Sequence, residues 1–159
     1  MKRARTIAEL ENLIGQFVPD PKQTIRDVDK TLFKIGKQLI NNIKIAHEWK
    51  DRSRLLTRSH YVKKLAELEI VIGNNAKSRD GAPYGLFLHE GTGIYGANKR
   101  PIKPTRAQFL QFKLPSGQWV RTKSVKGVKA LKWLPKEWDR ERPKSVRQIQ
   151  DTILKQARI

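Results

Sequence analysis

Residues 24–46 read TIRDVDKTLFKIGKQLINNIKIA, the most regular pattern in the chain. The apolar residues of this segment recur every three or four positions, a spacing that places them on one side of an α-helix. Thr24 and Asp27 have the spacing of a helix-capping box, so the helix is predicted to begin at Thr24. The apolar stripe consists of Ile25, Val28, Leu32, Ile35, Leu39, Ile43 and Ala46. Such a stripe must be covered, and the rest of the chain has to supply the covering surface.

Shorter helices are predicted at both ends of the chain. Thr6 and Glu9 have capping-box spacing before an amphipathic segment that stops ahead of Pro19. Ser145 and Gln148 resemble the start of a C-terminal helix. Its inward face would carry Val146, Ile149, Ile153 and Ala157.

Between these helices the sequence has the pattern of short strands and loops. Residues 59–64 and 68–72 alternate like strands, and 83–90 resemble one or two helical turns that point Tyr84, Phe87 and Leu88 inward. Residues 109–113 and 118–124 frame the turn Leu114-Pro-Ser-Gly117, which predicts a β-hairpin. Residues 126–133 continue as an extended segment.

The predicted fold class is therefore α+β, with the long amphipathic helix packed on a small antiparallel sheet and short helices at the two termini. A length of 159 residues fits a single domain. Within it we expect an N-terminal arm and short helix over 1–23, a core over 24–140 with a loop and hairpin insertion at 94–124, and a C-terminal helix over 141–159.

Composition excludes several classes of protein. No cysteine is present, so there is no disulfide framework, thiolate metal site or cysteine nucleophile. No apolar run approaches the roughly 18 residues of a membrane span, and the first residues do not resemble a signal peptide. We therefore expect a cytoplasmic origin.

The charge is strongly positive and unevenly distributed. The chain has 34 Lys and Arg against 15 Asp and Glu, a formal net charge of +19. No acidic residue occurs between Glu90 and Glu137, whereas 11 basic residues do. Three interpretations stay open for this stretch: a generally basic surface, a surface that faces nucleic acid, or one that binds an acidic protein.

Residues typical of catalysis are few. The three histidines are not arranged as metal ligands, and no cofactor is expected. His89 and Glu90 form an adjacent acid–base pair, and they precede Gly91 and Gly93. A packed helix end with turn-forming glycines explains this pair better than a catalytic role. The Gly91, Gly93, Gly96 spacing of a dinucleotide fingerprint follows a predicted helix rather than a strand, so we interpret it as a coincidence.

Four tryptophans lie within basic sequence, namely Trp49, Trp119, Trp133 and Trp138. They could stack on the bases of single-stranded nucleic acid, or they could anchor a core or a subunit interface. The apolar surroundings of Trp133 and Trp138 favour packing or subunit contact.

Several segments together resemble the family of phage head–tail joining, tail-completion or neck proteins found in lambdoid-type siphoviruses and related myoviruses, sometimes described as minor tail proteins. The resemblance covers roughly residues 25–140. It rests on the long helix and, in order, on Asp51-Arg-Ser-Arg-Leu55, Ser59-His-Tyr-Val-Lys63, Val71-Ile-Gly73, Tyr84-Gly-Leu-Phe87, His89-Glu-Gly-Thr92 and Lys129-Ala-Leu-Lys-Trp133-Leu-Pro135.

The sequence departs from the family pattern in three places. Asp51 and Arg52 replace a threonine–glycine pair, the insertion 94–124 is long, and Trp133 takes an aromatic position without a preceding proline. Insertions are where a subunit meets its particular neighbours, so these departures bear on its place within the neck.

The resemblance implies a structural, non-enzymatic virion protein, a homo-oligomeric and commonly hexameric ring at the head–tail junction that is assembled in the bacterial cytoplasm. Its expected partners are the connector or portal side of the head, tail-terminator or tail-tube proteins, and double-stranded genomic DNA contacted without sequence specificity. A free basic nucleic-acid-binding protein is the alternative. The candidate residues that face DNA or a neighbouring protein are Lys99, Arg100, Lys103, Arg106, Arg121, Lys123 and Lys126. The candidate subunit-interface residues are Trp119, Trp133 and Trp138.

Overall fold

The computed structural model describes residues 6–47, 49, 54–114 and 116–157. Residues 51–53 of the family-like segment and Pro115 of the predicted turn lie outside this part. In chain order the elements are α1 Ile7–Ile14, α2 Pro21–Ile45, α3 Leu55–Arg58, β1 His60–Ala66, β2 Glu69–Asn74, α4 Tyr84–Glu90, a 3₁₀ turn at Gly93–Tyr95, β3 Leu110–Lys113, β4 Trp119–Thr122 and α5 Trp133–Leu154. The α+β class is confirmed.

The contacts divide the chain into two compact units. The framework unit comprises Met1–His47, His60–Gly73 and Leu134–Ile159, and the basic unit comprises Glu48–Ser59 and Asn74–Trp133. The predicted boundaries at 23/24 and 140/141 fall inside α2 and α5. That the chain folds as one cooperative domain stays a prediction.

Helix α2 begins three residues earlier than the sequence pattern indicated. The Asp20 carboxylate accepts a hydrogen bond from the Gln23 amide at 2.9 Å, and Pro21 occupies the first turn, where its missing N–H has no cost. The Thr24 hydroxyl is fully buried and donates to the Asp20 carbonyl at 2.9 Å. Thr24 is therefore a first-turn residue rather than the cap. At α1, by contrast, Thr6 accepts from the Glu9 amide at 3.2 Å, as predicted.

The apolar face of α2 forms the core of the framework unit. Ile25, Ile35, Leu39 and Ile43 are at most 3% exposed. Strands β1 and β2 are adjacent and joined by two residues, so they form an antiparallel hairpin that covers this face. Gly36 marks the closest approach, since a Cβ there would lie 2.7 Å from Ile70 Cδ1 and 2.8 Å from Val62 Cγ2.

We predicted a single sheet that includes the later strands, but these strands do not extend the β1–β2 sheet. Strands β3 and β4 form a separate two-stranded sheet that belongs to the basic unit. Sequence alternation identifies strands without identifying their neighbours, because pairing partners are selected by tertiary packing.

A carboxylate on α2 holds the β1–β2 hairpin. Asp29 accepts hydrogen bonds from the Lys64 ammonium on β1 and from the Leu68 amide in the turn, the latter at 2.9 Å. The Lys64 hydrogen bond, helped by the Leu68 amide, lowers the pKa of Asp29 below its ordinary value of 3.8, although burial opposes the shift. Leu68 has a positive φ of 60°, and its bond to Asp29 fixes that turn.

Helix α5 is much longer than the short C-terminal helix that we predicted. It begins at Trp133, and Pro143 lies inside it. Ser145 is a buried residue within the helix rather than its cap, and Val146, predicted to face inward, is 45% exposed. Trp133, Glu137 and Ser145 are all buried at intervals of four or eight residues, so one face of α5 is packed on both sides of Pro143. The Thr152 hydroxyl donates to the Gln148 carbonyl at 2.8 Å and lies 3.1 Å from the hydroxyl of Thr31 on α2.

In the basic unit, Asn74 connects two helices. Its side-chain amide donates to the Leu56 carbonyl at 2.8 Å, and its side-chain oxygen accepts from the Ala76 amide at 2.9 Å. Gly85, at the start of α4, is buried against the Asn74 side chain, and a Cβ at this position would overlap the Asn74 oxygen. Helix α4 was predicted, but Tyr84 and Phe87 are 41% and 43% exposed rather than inward.

Among the described residues, none of the helices has the length and apolarity that crossing a membrane requires.

We predict that Leu39→Ala lowers the free energy of unfolding by roughly 2–5 kcal/mol, because it leaves a cavity under the β1–β2 hairpin. Ile45→Ala is the matched control on the same helix, since Ile45 is 75% exposed and should cost under about 0.5 kcal/mol. Urea unfolding of both variants measures the difference. Equal midpoints would show that the α2 stripe is not the core.

We predict a pH-dependent effect of Asp29→Asn. Asparagine keeps an acceptor for the Leu68 amide but loses the charge that binds Lys64, so the cost at pH 7 should be roughly 1 kcal/mol, since Lys64 is half exposed and the pair is partly screened. Because the folded pKa is depressed, wild-type stabilisation is complete above about pH 5 and is lost as the pH falls through the folded value. Urea unfolding at pH 7 and at pH 2 should show the two proteins converging in acid. Asp27→Asn, whose carboxylate pairs with Lys30 on the same helix, is the control and should show a smaller difference.

Candidate nucleic-acid interface

The positive charge is concentrated in the basic unit. Its sequence has 16 Lys and Arg against 4 Asp and Glu, a net charge of +12, which leaves +7 for the framework unit. All seven predicted DNA-facing residues belong to it and are exposed. In the part of the chain that the structure describes, none of the seven forms an ion pair with a carboxylate. These cations are available to an external anion.

Two glycine turns that cross each other form the scaffold of this surface. Helix α4 ends at Gly91, and the Thr92 and Ile94 amides donate to the Val128 and Lys126 carbonyls at 2.9 and 2.8 Å. The Val128 amide in turn donates to the Thr92 hydroxyl at 3.0 Å. Gly93 and Gly127 have φ of +64° and +92°, and a Cβ on either would lie about 2 Å from backbone of the other segment. Only glycine fits at this crossing.

The crossing explains the glycines that precede and follow the acid-free loop. Residues 126–132 were predicted to be extended, but they form no strand, since Gly127 and Lys132 have φ of 92° and 45°. They nevertheless pair with the 88–94 segment through backbone hydrogen bonds, including that from the Leu131 amide to the Leu88 carbonyl at 3.0 Å. The structure therefore supports the interpretation that Gly91 and Gly93 provide a packed turn.

An open cavity of about 800 Å³ lies beside the crossing and brings Arg100 and Lys103 together. Its lining also includes Phe87 and three glycines, Gly91, Gly93 and Gly96, which can present only backbone. Ile102 and Val125 exchange two backbone hydrogen bonds of 2.9 and 3.0 Å, so Lys103 and Lys126 each lie one residue from the same bridge. Lys99, between the lining residues Asn98 and Arg100, adopts a left-handed φ of 47°, and Arg106 follows in an irregular segment. Two cations beside exposed backbone suit the binding of a phosphate group.

The remaining predicted cations lie on or next to the β3–β4 hairpin. The hairpin matches the prediction, with Leu110 opposite Thr122 and Lys113 opposite Trp119. Arg121 lies over the Phe109 ring, 4.2 Å from its centroid. Lys123 follows β4 directly. The cations beside the cavity and those of the hairpin thus belong to one acid-free stretch of the chain.

The three candidate interface tryptophans occupy different environments. Trp119 is 63% exposed on the hairpin. Trp133 is buried and packs edge-on against His89, with ring centroids 4.5 Å apart, so little of its side chain is accessible to a neighbouring subunit. Trp138 is 37% exposed and lines an apolar groove with Leu32, Leu39 and Ile70 in the framework unit.

The His89–Glu90 pair lies at the end of helix α4. His89 Nε2 lies 3.5 Å from Glu90 Oε1, a long contact. Burial lowers the pKa of His89 below its ordinary value of 6.5, which outweighs the raising effect of Glu90 and leaves the imidazole neutral at pH 7. Across the described residues, no group of three or more histidine, aspartate or glutamate side chains is positioned to hold a metal ion.

Sequence reasoning missed Lys113, which lies opposite Trp119 and therefore on the same face of the hairpin. The signal was available, because a predicted hairpin with a defined turn fixes which residues are cross-strand neighbours. Comparisons of the chain with models of known protein families, with curated proteins and with solved structures gave no match.

We predict that Gly93→Ala destabilises the protein by roughly 3 kcal/mol or more, since backbone must move to admit the new methyl group. The matched control is Gly81→Ala, because Gly81 also has a positive φ, +78°, but no atom within 4 Å of the Cβ position. Its cost should be about 1 kcal/mol, the strain of the left-handed backbone alone. Denaturant unfolding of the two variants separates the close approach from the backbone strain. Equal losses would contradict the crossing.

Proposed function

We propose that this chain is a structural subunit of a tailed bacteriophage, which assembles as a ring at the head–tail junction and surrounds the DNA channel. The single observation that carries the proposal is the acid-free stretch between Glu90 and Glu137, whose seven candidate cations are exposed and have no carboxylate partner among the described residues. The family resemblance supports the location, and it also implies a hexameric ring without enzymatic activity.

The charge fits a channel lining in physical terms. Duplex DNA presents one phosphate charge per about 1.7 Å of its axis, so a basic lumen lowers the repulsion that opposes threading. A genome that must leave again requires diffuse phosphate neutralisation rather than recognition of base edges. Exposed lysines and arginines on a loop and a hairpin meet this requirement, because they contact phosphates without a fixed geometry.

Exposed apolar side chains support assembly with other subunits. Phe17, Ile45, Leu65 and Leu154 are each more than half exposed, although each is a large apolar residue. A monomer in water gains nothing from such exposure, whereas burial in an interface gains about 25 cal/mol per Å² of apolar surface. We propose that neighbouring copies, the portal side of the head, and tail-terminator or tail-tube proteins cover part of this surface.

The alternative function is a free nucleic-acid-binding protein, which the same charge supports. Solution size distinguishes the two: a monomer with salt-sensitive DNA binding favours the alternative, and ring formation on portal or tail-tube protein favours the neck role. Co-purification from infected cells gives the same distinction.

We predict that neutralising Lys99, Arg100, Lys103 and Arg106 together leaves the unfolding midpoint unchanged, because exposed charges contribute little to stability. The salt slope of duplex DNA binding should fall by about 0.9 for each lost phosphate contact, equally for any sequence. Neutralising Lys22, Arg26, Lys34 and Lys37 on α2 removes the same charge from the framework unit and is the matched control, expected to change the slope less.

The same variant, placed in phage, tests the lining against a protein-docking role. Complete particles that leak DNA or fail to eject it would support the lining. Tailless heads beside free tails would instead show that these residues bind an acidic protein surface, and the lining would be abandoned.

A further inference from the structure

The β3–β4 hairpin has two chemically different faces. Cross-strand partners in an antiparallel pair share a face, and successive residues alternate between faces. The pairs Leu110–Thr122 and Phe112–Val120 therefore form one face, and the pairs Gln111–Arg121 and Lys113–Trp119 form the other. The first face is apolar, whereas the second combines cations, an amide and an indole.

An independent contact extends the second face by one residue. The Arg121 guanidinium lies 4.2 Å from the centroid of the Phe109 ring, so Phe109 is on the same side as Arg121. Phe109, Lys113, Trp119 and Arg121 thus alternate aromatic and basic groups across one surface, which we call the basic–aromatic face. Its most prominent member is Trp119, 63% exposed although it is the largest apolar side chain of the hairpin.

This combination selects its ligand. The carboxylates of an acidic protein would pair with Lys113 and Arg121 but are not planar aromatic groups that stack on the indole. A membrane surface would be met by aliphatic side chains beside the tryptophan, and the paired residues of this face include none. Unpaired nucleotides supply both requirements, phosphates for the cations and planar bases for the ring, and stacking of one base on an aromatic side chain contributes about 1–3 kcal/mol.

We infer that the basic–aromatic face binds single-stranded nucleic acid, with a base stacked on Trp119 and backbone phosphates held by Lys113 and Arg121. This activity goes beyond the proposed channel lining, because the bases of a duplex are stacked on each other and are not accessible to an indole. It also requires no ring, so its test and the test of the neck role have separate outcomes.

The test is equilibrium binding of the full chain to a fluorescent 12-nucleotide oligothymidine and to a 12-base-pair duplex. Trp119→Ala should weaken oligothymidine binding about 5- to 100-fold, the range of one lost stacking contact, and duplex binding less than about 2-fold. Trp119→Phe keeps an aromatic plane and should stay within about 3-fold of wild type. Phe112→Ala, which removes an exposed ring from the opposite face, is the matched control and should leave both affinities unchanged.

Intrinsic fluorescence gives a second measurement that does not depend on the alanine variant folding well. Oligothymidine should quench the wild-type protein, and Trp119→Phe should lose that quenching while it still binds. Three results would each overturn the inference: equal effects of Trp119→Ala on both ligands, an equal loss in Phe112→Ala, or quenching of Trp119 by anionic lipid vesicles but not by the oligonucleotide.

Discussion

Two backbone segments cross at Gly93 and Gly127 with no room for a side chain on either, and the geometry of the basic unit depends on that approach. The crossing fixes the end of helix α4 against residues 126–128 through the Thr92 and Ile94 amides. It also fixes the start of the long loop that carries Arg100 and Lys103. The Ile102–Val125 bridge pairs this loop with the segment that follows the β3–β4 hairpin. A segment with few apolar residues is thereby ordered mainly by backbone hydrogen bonds, which need no side-chain core.

The two units differ in how their charges are used. In the framework unit, carboxylates offset cations locally: Asp27 pairs with Lys30, Asp29 with Lys64 and Glu137 with Arg140. In the basic unit, the exposed cations of the 99–126 stretch have no such partners among the described residues. Like charges held together on an ordered scaffold repel one another, and an external polyanion relieves that repulsion. The basic unit therefore provides the surface on which both proposals rest.

The candidate site was predictable in part, for reasons that differ from residue to residue. The acid-free run between Glu90 and Glu137 marked Lys99 to Lys126 directly, because long charged side chains are rarely buried. The tryptophans could not be sorted in this way, since an indole suits a core, an interface and a stacking platform equally. Burial against His89 places Trp133 inside its unit, and the hairpin register places Trp119 among cations. The same register groups Lys113 with Trp119 on one face of the hairpin.

Local sequence patterns were enough to identify three elements: the periodicity of residues 24–46 specified α2, the turn before Trp119 specified the hairpin, and Thr6 specified the cap of α1. These signals are local because helix periodicity, capping and turn formation involve neighbours within a few residues. Tertiary structure decided that the two hairpins form separate sheets, that α5 continues through Pro143, and that Gly93 meets Gly127. Each of these three features depends on contacts between residues far apart in sequence. A local sequence pattern does not encode which distant residues will pair.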